Sequence, residues 1–243
     1  MHAQTELSRL VRLARQHRWP SQCAVCHGWG HGRICQSCTA RFAAPARRCQ
    51  HCAVRLVADV ALCGGCLRRP PHFGSAIAAV DYTHPWDRLI SDFKYHGGLD
   101  LSGALCDLLI AECQRHSSEM PDCVLPVPLA AQRWRERGYN QSWELARRCA
   151  QRLGVRADPH LLLRIRETPC QLSLPRDRRL ANVRGAFAVE PTRRADVVGR
   201  RIALVDDVMT TQATADELSR VLLEAGARSV QVWVVARTLP PEH

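Results

Sequence analysis

One residue type is nearly missing. Of 34 basic side chains, 33 are arginine and Lys94 is the single lysine. Arginine dominance of this kind reads as genomic bias, so a lysine that survives it marks a place suited to a compact point charge. No apolar run approaches the roughly 18 residues of a membrane span, which predicts a chain without a transmembrane helix. The opening stretch, MHAQTELSRLVRLARQHRWP, carries scattered arginines and no continuous apolar segment, so a secretory signal is not expected. Absent too are the Ser–His–Asp and Cys–His patterns of nucleophilic catalysis. What remains is a chain of 243 residues with 46% hydrophobic content, enough for one ordinary core plus a smaller module.

Without export, the thirteen cysteines face a reducing compartment, where metal ligation is favoured over disulfides. Eight form Cys-x-x-Cys pairs: Cys23/Cys26, Cys35/Cys38, Cys49/Cys52 and Cys63/Cys66. Each pair places two thiolates roughly 3.5–4 Å apart, one edge of a tetrahedron around Zn²⁺. Four pairs predict two Cys₄ zinc sites, both structural because all-thiolate coordination leaves no position for water. Short spacers favour sequential pairing, residues 23–38 around one ion and 49–66 around the other; a cross-braced arrangement is the alternative. His27, His31 and His51 then lie nearby as surface residues rather than ligands. Cys106, Cys113, Cys123, Cys149 and Cys170 read as small core residues.

Charge is unevenly spread. Residues 1–70 hold eleven arginines against Glu6 and Asp59, a net of +9, while the remainder carries only +2. Two Cys₄–Zn centres would lower the front end to about +5, still basic. Arg41, Arg47, Arg48, Arg55, Arg68 and Arg69, with Trp29 and Phe42 among them, suit phosphate contact and base stacking, which makes single-stranded DNA an expected partner. A docking or fold-stabilising module is the equal alternative. Leu7, Leu10, Val11 and Ala14 recur at helical spacing and predict a basic amphipathic helix over residues 1–20. The expected organisation is that helix, a double zinc ribbon over 21–70, and an α/β domain over 71–243.

Beyond the Pro pair of RRPPHFG the pattern becomes α/β. SAIAAVDY reads as strand, PWDRLISDFKYHG and LSGALCDLLIAECQR as helices, DCVLPVP as strand, and NQSWELARRCAQRLG as helix. HLLLRI and AFAV are strand candidates. RIALVDD, ATADELSRVLLEAG and SVQVWVVAR then form a strand–helix–strand unit, which implies a right-handed crossover and a parallel sheet. Ligands in such sheets bind beyond the carboxyl ends of the strands.

Asp206 and Asp207 follow the apolar run and are expected to emerge at that rim. Adjacent carboxylates are costly unless a cation or hydroxyl donors share them. Thr210, Thr211 and Thr214 follow, in a turn whose N–H groups open a helix, a ready phosphate cradle. Diol-accepting carboxylates beside a monophosphate cradle describe a ribose 5-phosphate site.

ALVDDVMTTQAT resembles the phosphoribosyl-pyrophosphate (PRPP) motif of type I phosphoribosyltransferases. The resemblance implies that Asp206 and Asp207 hold the ribose hydroxyls, and that Thr210, Thr211, Gln212, Ala213 and Thr214 bind the 5-phosphate, with Mg²⁺ accompanying the pyrophosphate. Gln212 stands where that family usually has Gly. The segments LPVPLAAQRWRERGYNQSWELAR and RIRETPCQLSLPRDRRLANVRGAF, with the cysteine pairs ahead of them, are similar to the ComF (ComFC/GntX-like) family, from about Cys23 to Arg237. That family joins a zinc ribbon to a phosphoribosyltransferase-like domain and is linked to DNA uptake and use of DNA as a nutrient. It implies a signature in Arg137, Gly138, Tyr139, Asn140 and Gln141. A second implied signature lies in Arg166, Thr168, Gln171, Arg179, Asn182 and Arg184, and Lys94 to Gly97 fits as well.

These residues suit the pyrophosphate side of a pocket, with Gly138 letting backbone approach an anion. Asp206, Asp207, Arg137 and Lys94 are the expected catalytic set. A phosphoribosyl transfer would ionise the C1–pyrophosphate bond, needing positioning and charge stabilisation rather than acid–base work. Two roles stay open: a transferase acting on PRPP, or an inactive PRPP- or nucleotide-sensing or DNA-binding adaptor. No segment specifies a nucleobase acceptor. The resemblance implies a cytoplasmic location, at most peripheral to the inner membrane, beside a competence helicase or membrane DNA-uptake machinery.

Overall fold

The computed structural model describes residues 20–116, 119–166 and 183–239. By compactness the chain divides between Ala44 and Pro45. That boundary falls between the two cysteine clusters, whereas the sequence groups both in one module over 21–70. The basic helix expected over 1–20 lies outside the described residues apart from Pro20.

The first unit contains an antiparallel pair, β1 (Pro20–Gln22) and β2 (Trp29–His31), followed by helix α1 (Gln36–Phe42). The second opens on the later cysteine cluster and the short helix α2 (Gly64–Arg68), then builds the sheet. Its elements are β3 (Ser75–Asp81), α3 (Trp86–Tyr95), α4 (Leu101–His116), β4 (Cys123–Pro126), α5 (Ala131–Arg137) and α6 (Gln141–Leu153). They continue as β5 (Arg156–Ala157), β6 (Leu162–Arg164), β7 (Phe187–Val189), β8 (Arg201–Met209), α7 (Ala213–Glu224) and β9 (Ser229–Arg237).

Five strands form one parallel sheet in the order β3-β9-β8-β4-β5. The expected parallel α/β class is therefore present. Near-continuous apolar runs make β8 and β9 its centre: Ile202 to Val205 and Val232 to Ala236 are buried, as a sheet covered on both faces requires. Helices α4 and α6 pack on one face. The other face carries α7, through Leu218 and Leu222, with Leu162 and Phe187 of the separate β6–β7 hairpin in the same core. HLLLRI and AFAV are strands, but they pair with each other rather than joining the sheet.

β3 is an edge strand, and an uncovered edge is a liability. The second cysteine cluster covers it. The Ala76 N–H donates to the Gln50 carbonyl (3.3 Å), and Asp81 at the strand's end pairs with Arg48 (2.7 Å) and Arg55 (2.6 Å). Ala53 and Phe73 belong to the main core itself. No helix among the described residues is long and apolar enough to cross a membrane.

Candidate functional site

The eight paired cysteines gather in two sets: Cys23, Cys26, Cys35 and Cys38, then Cys49, Cys52, Cys63 and Cys66. Within each set all Sγ atoms lie within 4.8 Å of one another. The pairing is sequential. Bonds of about 2.3 Å to a tetrahedral Zn²⁺ put sulfurs near 3.8 Å apart; Cys26–Cys35 stand at 3.8 Å and Cys52–Cys63 at 3.7 Å. Both sets therefore fit a zinc-ribbon centre.

The two are local copies. Cys23 and Cys49 each accept an N–H on the sulfur from the first cysteine of the following pair, Cys35 and Cys63, at 3.3 Å. The residue after each first knuckle, His27 or Ala53, adopts positive φ (59° and 57°) and donates its N–H back to the Cys23 or Cys49 carbonyl (2.9 and 2.8 Å). Burial opposes ionisation of Cys23, yet backbone N–H groups from Cys26, Cys35 and Val25 outweigh it and lower its pKa to about 6. Such a thiol is ready to ligate. His27 and His31 are exposed.

At the carboxyl end of the sheet a cavity of about 220 Å³ is lined by Lys94, Arg133, Arg137, Gln141, Ser142, Arg164, Asp206, Asp207 and the turn Thr210 to Ala215. β8 runs on to Met209, two residues past RIALVDD as read from sequence, so Asp206 and Asp207 lie inside the strand rather than at its very end. Consecutive strand residues point to opposite faces, and the two carboxylates accordingly meet different partners. Asp206 Oδ1 accepts from the Ser142 hydroxyl (2.8 Å) and the Asp207 N–H (2.9 Å). Asp207 Oδ1 meets the Lys94 ammonium at 2.8 Å.

Burial, then the charge of Asp207, pushes Asp206 up to about 7 despite Lys94 nearby. Burial disfavours the Lys94 ammonium, but Asp207 outweighs it and raises its pKa. The single lysine is thus the fixed cation under the acidic pair. A raised carboxyl pKa lends stability that is complete below the ordinary value of 3.8 and is lost as pH climbs toward about 7. Lys94→Gln is expected to enlarge that loss and carry it to higher pH. Urea midpoints at pH 5 and pH 8 should separate further in the variant, and an unchanged separation would contradict the assignment.

Asn140, Gln141 and Arg137 converge on the same place by different means. Asn140 is buried and N-caps α6, accepting from the Ser142 and Trp143 N–H groups (2.9 and 3.4 Å) while its amide donates to the Val127 carbonyl (3.1 Å). Such a cap is worth about 1 kcal/mol, and here it also aims Ser142 at Asp206. The Gln141 amide donates to the Lys94 carbonyl (3.3 Å), and its carbonyl oxygen accepts from Arg137 (3.0 Å). Arg137 also donates to the Tyr95 hydroxyl (2.9 Å) and lies over that ring (4.5 Å to the centroid). Gly138 has φ +77° and closes α5, with nothing within 4 Å of an added Cβ. Ending the helix in a left-handed conformation is by itself a reason for glycine there.

Gln212 holds φ +69° at the N-cap of α7 and makes no side-chain cap hydrogen bond. A left-handed conformation costs a residue with a Cβ about 1–2 kcal/mol, which explains why glycine would suit the position. Gln212→Gly should therefore stabilise the fold by about 0.5–1 kcal/mol after glycine's own entropy cost. It should also tighten ligand binding at the turn several-fold. Unfolding and calorimetry of the variant check both, and lower stability with unchanged affinity would refute the account.

Arg166 donates to the Arg184 carbonyl (2.6 Å), and neither is among the residues lining the cavity. Thr168, Gln171, Arg179 and Asn182 lie outside the described residues. The sequence reading missed Ser142, Arg133 and Arg164, and named Tyr95 only as part of Lys94 to Gly97. Arg133 and Arg164 come from α5 and from the β6–β7 hairpin, elements whose placement beside the sheet has no periodic signal. Ser142 lies inside the NQSW segment, and only the helix direction reveals its partner.

No protein-family model matches the chain. Over 227 residues it is 33% identical to the DNA utilization protein YhgH of Salmonella typhimurium, across 90% of this chain and 98% of that protein. Competence protein F of Haemophilus influenzae is 32% identical over 178 residues, 72% of this chain and 77% of the relative. Among solved structures, the glutamine PRPP amidotransferase from B. subtilis aligns with a TM-score of 0.38 at 23% identity, over 58% of this chain and 29% of that one. Identity at this level over nearly the full length of both chains places the protein in the ComF family of DNA utilization and competence proteins.

Proposed function

We propose that the cavity binds PRPP or a related ribose 5-phosphate, within a protein that handles single-stranded DNA during its uptake or use. One observation carries the ligand reading. Two adjacent carboxylates and a threonine-rich helix start leave the same strand end and open into one cavity, with Arg133, Arg137 and Arg164 on its walls. Asp206 and Asp207 accept the ribose hydroxyls, and Thr210, Thr211 and Thr214 with the turn's N–H groups take the phosphate. The arginines face a diphosphate, for which guanidinium geometry is suited. Asp207 is already held by Lys94, a poor donor set for a protein-bound Mg²⁺, so that ion is expected to arrive with the ligand's diphosphate.

If transfer occurs, the C1–O bond breaks with its electron pair leaving on pyrophosphate, and an acceptor nucleophile bonds to C1. The chain's part is to orient the ribose and stabilise the departing charge. Calorimetry with Mg–PRPP, alongside turnover with candidate acceptors, tests the reading. Saturable binding is expected; its absence would sink it, and binding without turnover would make the protein a sensor.

The first unit supports the DNA half of the proposal, with zinc as the ion in both cysteine sets. Trp29 is 78% exposed on β2, and Arg41 lies over Phe42 at 5.2 Å. An exposed tryptophan and a half-buried phenylalanine among arginines suit stacked bases and phosphates. Binding of a labelled oligonucleotide should weaken steeply with salt and fall in Trp29→Ala. Affinity indifferent to both would remove this unit as the DNA platform.

A further inference from the structure

Arg237 ends β9 and is only 4% exposed. Its Nε donates to the Cys52 carbonyl (2.9 Å), inside the second cysteine cluster. Its Nη1 donates to the carbonyls of Met209 (2.8 Å) and Thr210 (2.5 Å), at the start of the threonine turn. One planar group therefore spans a metal-binding loop and the candidate phosphate turn.

The grip on the loop has a second arm. The next carbonyl, that of Ala53, accepts from Arg48 (3.2 Å), which is paired to Asp81. Asp81 is the register partner of Arg237 across β3 and β9. Cys52 and Ala53 are thus held by two neighbouring strand ends, in a turn where Ala53 has φ +57°.

The effect on the threonine turn follows from peptide geometry. In a trans peptide the C=O and the following N–H point oppositely. The Met209 carbonyl is held by the guanidinium and by the Thr238 N–H (3.2 Å), the Thr210 carbonyl by the guanidinium, so the N–H groups of Thr210 and Thr211 face away from Arg237, and both residues line the cavity.

We propose that Arg237 is a positioning residue that couples the second Cys₄ centre to the ribose-phosphate turn. Metal at that centre fixes the Cys52 carbonyl; the carbonyl fixes the guanidinium; the guanidinium presents the turn's N–H donors. Loss of that ion loosens the turn, and an anion on the turn in return slows release of the ion, because linkage is reciprocal. The consequence for affinity rests on the ligand reading above, whereas the coupling itself is observable without ligand.

The test uses the full chain. In Arg237→Lys, which keeps the charge and loses the fork, amide hydrogen exchange across 209–214 should quicken about fivefold or more. Release of one of the two zinc ions to a chelator should quicken with it, the other ion being unaffected. As a check that needs no variant, graded chelation of the wild type should raise exchange across 209–214 in step with loss of one ion, while β4 stays protected. Mg–PRPP should slow release of that ion in the wild type and not in the variant. Exchange across 209–214 that ignores both the substitution and removal of both ions would overturn the coupling. Failure of the Mg–PRPP arm alone, with the ligand-free arms positive, would overturn the ligand reading and leave the coupling standing.

Discussion

Joint replacement of both site carboxylates, Asp206→Asn with Asp207→Asn, should cut affinity for Mg–PRPP by about a hundredfold or more. Hydrogen bonds to charged groups contribute about 1.5–3 kcal/mol each, and removing the charge from two ribose hydrogen bonds at once reaches that range. Asparagine keeps the shape and can still accept from Ser142, so the fold is retained. The double change removes the repulsion between the two carboxylates and also the partner of the Lys94 ammonium, so folding is checked separately. Circular dichroism would confirm folding, and titration calorimetry would read the affinity. Binding within twofold of wild type would show that the ligand, if any, sits elsewhere.

The second large effect separates the two metal sites. Cys52→Ser should remove one of two zinc ions and lower the thermal midpoint of the larger unit by about 10 °C or more, since a structural zinc contributes folding energy outright. Cys49, Cys52 and Cys66 are buried, and the adjoining Ala53 belongs to the main core. Cys26→Ser should also remove one ion yet leave the larger unit's midpoint within about 2 °C, because Cys26 is exposed and belongs to the other compact unit. Elemental analysis and calorimetric scanning read both quantities. Equal shifts from the two substitutions would mean that the clusters serve the fold alike.

Much of this was legible in the chain. Cys-x-x-Cys spacing is local geometry, so two tetrahedral thiolate sets could be read without a fold. Alternating helix and strand periods, with RIALVDD feeding a capped helix, required a parallel sheet and placed the acidic pair near its carboxyl end. Lys94 stood out by rarity alone, and Gln212 by the glycine it replaces; its φ of +69° supplies the physical reason.

Other features had no local signature, because they depend on which remote segments the sheet brings together. Spacing cannot tell that the second cysteine cluster belongs to the sheet's unit, with the adjoining Ala53 in the sheet's core, while the first belongs to a separate unit. The charge on Lys94 is read from its residue type, but its place 2.8 Å from Asp207, 113 positions along the chain, is a product of the end of α3 being tied to Tyr139 and Gln141 at the start of α6. Arg237 looks in sequence like the polar end of a strand. Only the register of β3, β9 and β8 buries it between Cys52 and Thr210. The chain by itself determined the two cysteine sets, the parallel α/β class and the place of the acidic pair and threonine turn, all carried by short spacings. Tertiary structure decided which charges are paired and how the second cluster meets the turn, because those rest on packing across a parallel sheet.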